Sequence, residues 1–220
     1  MIRKLKPAIG LAALIALIAS AFGSPSASGT VNGHFVSDAP SGKTEAILTA
    51  ATGGGSTHFL TMHADGTAAT CHSITYTGSM SGSTTQSIRA QANFFGCTIG
   101  EGPGSVTTNG CDTEFWSRTS GDGTVKLLCP AGKKVEVHAP NCTESFPEQL
   151  PAGGVGFKTI EANGKHAITA ELTVTGLEFE RHGGLCVFLG TKGTGATLTG
   201  AVIAHGIDAQ TQQPVNITAT

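Results

Sequence analysis

Charged and aromatic residues are scarce in this chain of 220 residues, and their scarcity excludes several classes of protein. Charged side chains make up 13% of the chain, about half the share of about 25% that is usual for soluble domains. The few lysines and arginines are scattered, which argues against nucleic acid or an anionic membrane surface as a partner. Aromatic residues make up only 5%, so few large side chains are available to fill a core.

Long apolar runs are also missing, apart from one at the N-terminus. Residues 7–19 (PAIGLAALIALIA) follow the basic residues 1–6 (MIRKLK), and small residues come next. This run is too short for a stable membrane anchor. The layout predicts a secretory signal peptide and short linker over residues 1–27, cleaved within residues 21–27.

Removal of the leader would make the chain more acidic. It would take three of the 13 basic residues and leave ten against 15 acidic ones. Residues 28–220 then suit a single secreted β-domain. Residues 147–154 (PEQLPAGG) mark either a subdomain boundary or a crossing between sheets, and we favour the crossing. We expect a secreted, extracellular or cell-surface protein without a membrane span.

Motifs for catalysis and for metal binding are absent or incomplete. The nucleophile motif G-x-S-x-G is missing, since Gly78–Gly82 (GSMSG) has Met80 at the place of the serine. The eight histidines show no zinc-binding spacing, and His58 and His72 would face each other in only one register of their hairpin. The sequence therefore assigns no catalytic residue, no cofactor site and no metal site.

One segment, Ser37–Thr44 (SDAPSGKT), comes close to a phosphate-binding loop. It matches G-x-x-x-x-G-K-[ST] except at the first position, where Ser37 replaces glycine. No buried strand precedes the segment and no βαβ pattern follows it. We therefore interpret Pro40–Gly42 as a turn that leads into the first strand, and we reject nucleotide binding.

What the chain has in abundance is glycine, threonine and alternation of apolar with polar residues. Threonine favours strands, and glycine favours the tight turns that join them. The alternation is clearest in Ile168–Thr175 and shifts by one residue after Gly176, which predicts a β-bulge there. Turn signals separate the alternating segments at Asn109–Gly110, Asp122–Gly123 and Asn163–Gly164. These patterns predict an all-β fold, an antiparallel β-sandwich or barrel-like sandwich of about ten or more short strands.

Large and charged side chains in the alternating segments suggest where the two faces of the strands lie. Trp116 could stack on a sugar or anchor an interface, but a core short of large side chains favours a buried position for it. Glu178 and Glu180 are two residues apart and share one strand face, which we interpret as solvated, with Arg181 beside it. A glycosidase pair would instead have to flank its substrate from different elements.

Six cysteines follow the leader, and an even set in an exported chain predicts a disulfide framework. Residues that face each other in a hairpin are equidistant from its turn, which favours one set of pairs. The favoured pairs are Cys71–Cys97, Cys111–Cys129 and Cys142–Cys186. The alternative pairs are Cys97–Cys111, Cys129–Cys142 and Cys71–Cys186. Each bridge is expected to contribute about 3 kcal/mol to stability.

Several parts of the chain carry a resemblance: the leader, Phe35–Thr44 (FVSDAPSGKT), Asn109–Cys111 (NGC) and Cys129–Cys142 (CPAGKKVEVHAPNC). In these parts the chain resembles small exported bacterial proteins that are rich in Cys, Gly and Thr and have no known function. The resemblance implies a secreted β-protein and no particular activity.

Two functions are compatible with these observations. The first is a secreted or cell-surface structural or binding module whose partner is an extracellular protein or a glycan. The alternative is a small secreted hydrolase or carbohydrate-active protein with a site built from loops. A polar cleft with perturbed ionisable groups would favour the enzyme, whereas a flat surface or an exposed sheet edge would favour a binding module.

Overall fold

The structure is a computed structural model that describes residues 33–50, 60–64, 67–118, 121–150, 152–184 and 191–220. The predicted signal peptide lies outside these residues. The described residues form mainly strands, which we number in chain order. The strands are β1 (Phe35–Ser37), β2 (Thr44–Ala50), β3 (Leu60–Ala64), β4 (Thr67–Met80), β5 (Thr84–Thr85), β6 (Ser87–Ile99), β7 (Gly102–Pro103), β8 (Ser105–Thr107), β9 (Asp112–Ser117), β10 (Asp122–Leu128), β11 (Val135–Ala139), β12 (Cys142–Phe146), β13 (Ala152–Ala162), β14 (Lys165–His182), β15 (Lys192–Asp208), β16 (Pro214–Val215) and β17 (Ile217–Ala219).

The main sheet is antiparallel and closes on itself. Its strands follow the order β15-β2-β4-β6-β9-β10-β13-β14, and β14 pairs with β15 to complete the ring. The predicted all-β, antiparallel, barrel-like fold is therefore confirmed. β4, β6, β14 and β15 are 13 to 18 residues long and are longer than the short strands that we expected. β12 ends just before residues 147–154 and β13 begins within them, at Ala152, and both strands pair with β14.

Alternation within β14 explains why it forms a strand with one buried face. Ile168, Ala170, Leu172 and Val174 are buried, whereas the residues that alternate with them are more exposed. The register with β15 shifts between Val174 and Leu177, and Gly176 between them has a φ of 70°. A positive φ at an extra residue is typical of a β-bulge with glycine, so the predicted bulge is confirmed.

A small sheet in the order β17-β1-β5 packs against β13 and β14. Its apolar residues Phe35 and Ile217 are buried. The ring of Phe35 meets that of Phe157 edge-on at 5.1 Å. The hydrophobic core therefore continues beneath this sheet.

Among the described residues, the rest of the core contains two further aromatic pairs and one buried ion pair. The aromatic pairs are Tyr76–Phe115 and Phe146–Phe179. Arg181 Nε donates to Glu144 Oε1 at 2.8 Å, and both residues are buried. Our expectation that Arg181 lies beside a solvated face was wrong, because alternation places it on the inward face with Phe179.

Two of the predicted disulfides are confirmed. Cys71 and Cys97 lie opposite each other on β4 and β6, and Cys111 bonds Cys129 just beyond the paired ends of β9 and β10. The alternative set of pairs is therefore excluded. Cys142 is also disulfide-bonded, but Cys186 lies outside the described residues, so the Cys142–Cys186 pair stays a prediction.

The turn signals were mostly, but not all, correct. Asn109–Gly110 and Asn163–Gly164 have positive φ at both residues, as tight turns of this type require. Asp122–Gly123 was wrongly placed in a turn, because both residues belong to β10 and the positive φ lies just before them, at Gly121. The strand β12 was not predicted.

Candidate ligand-binding trough

A trough of about 510 Å³ runs along the outer face of the closed sheet, where β10, β13 and β14 lie side by side. We call it the glycine trough, because its floor is β13 with glycine at the outward positions 154 and 156. Its lining residues are Arg118, Asp122, Gly123, Gly153, Gly154, Val155, Gly156, Glu171 and Thr173.

Two of these glycines are required by the fold. Gly153 has a φ of 114°, and a Cβ there would lie 2.6 Å from the carbonyl oxygen of Thr173. A Cβ on Gly123 would lie 2.2 Å from the ring of Phe157. Real Cβ atoms do not come this close to other atoms, so larger residues at these two positions would displace the sheet.

The other two glycines have no such structural reason. A Cβ on Gly156 would meet no atom within 4 Å, and one on Gly154 would lie 3.7 Å from the nearest, an ordinary contact. Neither residue has a positive φ. Glycine inside a strand weakens it, and often marks a place where a ligand or another backbone comes close. Here the two glycines leave the backbone of β13 accessible.

Carboxylates stand on both walls of the trough. Asp122 on β10 pairs with Gly156, which pairs on its other side with Glu171 on β14. Both acidic residues are exposed, and two strand spacings separate their backbones by roughly 10 Å. Thr173 adds a hydroxyl two residues beyond Glu171, and Arg118, whose backbone amide donates to the Asp122 carbonyl, also lines the trough.

Trp116 lies on the same outer surface as the trough. Its indole Nε1 donates to Glu114 Oε2 at 2.8 Å, and the Ser87 hydroxyl donates to the other oxygen of Glu114. Our expectation of a buried Trp116 was wrong, because Phe115 takes the inward position and Trp116 is only half-buried. Its cross-strand neighbour is Thr124 on β10, the strand that bears one wall of the trough.

A second polar groove, of about 440 Å³, lies where β2, β4, β6 and β9 are neighbours in the sheet. It is lined by Glu45, Thr77, Gly78, Ser79, Arg89, Gln91 and Asp112. Arg89 Nε bonds Asp112 Oδ2 at 2.6 Å within it. Asp112 lines the groove, and Arg118 lines the trough. The two residues lie on either side of Trp116 along the chain. The two depressions therefore belong to one polar surface with a single indole between them.

The segment that resembles a phosphate-binding loop is a turn, as we interpreted it. Thr44 Oγ1 donates to Ser37 Oγ at 2.6 Å, and the Gly42 amide donates to the Ala39 carbonyl at 2.9 Å. The Ser41 amide donates to a carboxylate oxygen of Asp208 at 2.9 Å. A strand, β2, follows the turn in place of the helix that a phosphate-binding loop requires.

Asp208, which holds this turn to the end of β15, was not singled out from the sequence. Its carboxylate accepts hydrogen bonds from the amides of Gln210 and Thr211 as well as from Ser41. The bonds from Thr211 and Ser41 hold the pKa of this carboxyl well below its usual range. The order Asp-Ala-Gln-Thr is a signal for such a turn, so the residue could have been found.

Among the described residues, the histidines and the paired glutamates do not form a second site. His72 is exposed on β4, and His58 lies outside the described residues. Within the part of the chain that the structure describes, no cluster of His, Cys, Asp and Glu could hold a metal ion. Glu180 instead binds Lys134 and Lys192, whose hydrogen bonds lower its pKa to about 2.

The segments that carry the resemblance to exported proteins include residues with structural roles. The side-chain amide of Asn109 donates to the Lys134 carbonyl at 2.9 Å and to Glu136 at 3.1 Å. The turn at Asn109 is thereby tied to the segment Cys129–Cys142.

No family model, curated protein or solved structure matches this chain. Among the described residues, no helix has the length and hydropathy needed to cross a membrane. The disulfides indicate an oxidising, non-cytoplasmic location.

Proposed function

We propose that this chain is an exported binding module and that the glycine trough binds a hydroxyl-rich oligosaccharide. The observation that carries the proposal is the pair Gly154 and Gly156, two exposed strand glycines that neither packing nor backbone conformation requires. They open the floor of a polar trough whose walls carry carboxylates. Export is supported by the predicted leader and by the disulfides.

The chemistry of the walls fits a sugar better than an apolar ligand. Ionised carboxylates only accept hydrogen bonds, so Asp122 and Glu171 suit a ligand that presents many donors, as sugar hydroxyls do. Thr173 and Arg118 supply donors for the ring and hydroxyl oxygens. The bare floor extends roughly 7 Å along the strand and roughly 10 Å across it, which matches the face of a sugar ring.

Trp116 supplies an apolar surface next to this polar trough. An indole offers a large flat face together with one polar N–H, and the Trp116 N–H is already bonded to Glu114. We expect an adjoining sugar unit of a longer chain to contact the indole. Because Trp116 is the single tryptophan of the chain, its fluorescence reports binding directly.

The test fills the trough without disturbing the fold. Gly156→Thr adds a side chain where no atom lies within 4 Å. The matched control is Gly195→Thr, since Gly195 is also exposed in a strand with no atom within 4 Å of its Cβ, but lies outside the trough. Binding of cellohexaose, maltohexaose and xylohexaose is measured by Trp116 fluorescence and calorimetry.

We expect at least one of these oligosaccharides to bind the unaltered protein and the Gly195→Thr variant with equal affinity. Gly156→Thr should weaken that binding at least tenfold while leaving the protein folded. Failure of all three sugars to bind, or equal binding by both variants, would refute the proposal.

A second function is favoured by the positions of Asp122 and Glu171. Carboxyl groups that flank a substrate from different strands are the arrangement of a glycosidase, with separations of about 6.5 to 9.5 Å in inverting enzymes. The backbones of these two residues are roughly 10 Å apart across Gly156. Release of reducing ends from the same oligosaccharides, lost in Asp122→Asn and in Glu171→Gln, would identify an enzyme; binding without release would identify a binding module.

A further inference from the structure

The two sides of the glycine trough differ in the residues that lie beyond them. On the side of β10, Trp116 is the cross-strand neighbour of Thr124. The backbone amide of Arg118 donates to the Asp122 carbonyl at 2.8 Å. Trp116 and Arg118 have two of the largest side chains, and both are only half-buried. The trough is therefore bordered by bulky residues on this side.

Small residues border the trough on the side of β14. Glu171, in the wall of the trough, pairs with Ala201 on β15, and Thr173 pairs with Thr199 on the same strand. Val202 is buried, and side chains alternate along a strand, so Ala201 and Thr199 face outward. Because neither residue is large, the trough is open to a ligand that continues across β15.

One row of the sheet leads from the floor of the trough over this open side. Gly154 pairs with Thr173, and Thr173 pairs with Thr199. All three residues are exposed. Neighbouring strands lie about 4.8 Å apart, so one threonine follows another at about that interval beyond the bare floor. A threonine hydroxyl both donates and accepts hydrogen bonds, which suits the hydroxyls of successive sugar units.

We propose that the trough binds a sugar chain in one direction, with one end against Trp116 and the rest running across β14 onto Thr199 of β15. This inference rests on the proposed function, and it adds the direction and the length of the chain that is bound. At about one sugar unit per strand, three units cover β9, β10 and the floor of the trough. Only a longer chain also reaches Thr199.

The test compares chain lengths within the series that binds: cellotriose with cellohexaose, maltotriose with maltohexaose, or xylotriose with xylohexaose. Affinities are measured by Trp116 fluorescence and calorimetry. We expect the hexasaccharide to bind the unaltered protein at least about three- to tenfold more tightly than the trisaccharide, the effect of one neutral hydrogen bond. The amide resonance of Thr199 should shift with the hexasaccharide and not with the trisaccharide.

The variant Thr199→Val keeps the branched shape and removes only the hydroxyl. It should bind the hexasaccharide about three- to tenfold more weakly than the unaltered protein, and it should bind the trisaccharide equally well. The matched control is Thr194→Val, because Thr194 is also exposed in β15 but lies outside the row. It should change neither affinity.

Three results would overturn the direction of binding. They are equal affinities for the two chain lengths, full affinity of Thr199→Val for the hexasaccharide, and a Thr199 amide that the hexasaccharide does not shift. Gly156→Thr separates this failure from that of the proposed function, because it should weaken binding of both chain lengths wherever the chain runs. If no sugar binds, or if Gly156→Thr binds normally, the proposed function fails, and the direction of binding fails with it.

Discussion

Breaking the buried ion pair between Arg181 and Glu144 should be among the most damaging changes to this fold. The side chains are 1% and 10% exposed, and Arg181 Nε lies 2.8 Å from Glu144 Oε1. The guanidinium also lies 4.7 Å above the ring of Phe179. Removal of one partner leaves the other charge buried without its counterion. This costs about 3 to 5 kcal/mol.

The perturbation is a double-mutant cycle with Glu144→Leu and Arg181→Met, which keep most of the apolar volume. Each single variant should lose about 3 to 5 kcal/mol of unfolding free energy, whereas the double variant should be near neutral or more stable, because no isolated charge remains. The coupling between the two changes is therefore large. Urea denaturation, followed by Trp116 fluorescence, measures all four free energies.

An exposed ion pair provides the matched control. Arg89 Nε lies 2.6 Å from Asp112 Oδ2, but the side chains are 58% and 22% exposed. The same cycle with Arg89→Met and Asp112→Leu should give a coupling below about 1 kcal/mol. Equal couplings for the two pairs, or additive losses at Arg181 and Glu144, would refute the reasoning that burial decides the cost.

Three further changes test other parts of the structure. Replacing Cys111 and Cys129 by alanine should cost about 3 kcal/mol, since the bridge closes a loop of 18 residues in the unfolded chain. Glu180→Gln should reduce the loss of stability in acid. The pKa of Glu180 is about 2 in the folded protein and 4.5 ordinarily. The contribution of the ionised carboxylate to stability is therefore present above about pH 4.5 and disappears as the pH falls toward 2. Gly123→Ala should destabilise by about 2 kcal/mol or more through its clash with Phe157.

Each of these changes has its own measurement and control. Urea denaturation with and without reductant measures the contribution of the disulfide to the free energy of unfolding. A loss of unfolding free energy below about 1 kcal/mol would contradict a stabilising role for the Cys111–Cys129 bridge. Urea midpoints at pH 6 and pH 3 measure how much Glu180 contributes to the pH dependence of stability. The control is Glu178→Gln, which alters an exposed neighbour and should leave that pH dependence unchanged. Gly156→Thr is the control for Gly123→Ala, and it should leave stability unchanged or raise it by up to about 1 kcal/mol.

The sequence predicted the fold well in strands where the alternation of apolar and polar residues identified one buried face. In β14 only one face is apolar, so the buried side chains and the bulge at Gly176 followed from the pattern. In β9 both faces carry an aromatic residue, which is why the expectation for Trp116 failed. The outward position of Trp116 could have been inferred, because Asp112 and Glu114 share its face and Phe115 does not.

The trough could not be predicted in the same way. Asp122, Gly156 and Glu171 meet in one row only through the registers of β10, β13 and β14. Alternation within one strand carries no information on those registers. The burial of Arg181, by contrast, followed from its shared face with Phe179, and an expectation that charge lies outside overrode that signal.

The most direct test of the binding site maps the oligosaccharide onto the backbone amides. In a titration followed by amide NMR, the oligosaccharide that binds should shift the resonances of Gly154, Gly156 and Thr173 most strongly, together with the Trp116 indole N–H. The strongest shifts at the groove of Arg89 and Gln91, or no localised shifts at all, would contradict the assignment of the glycine trough as the binding site.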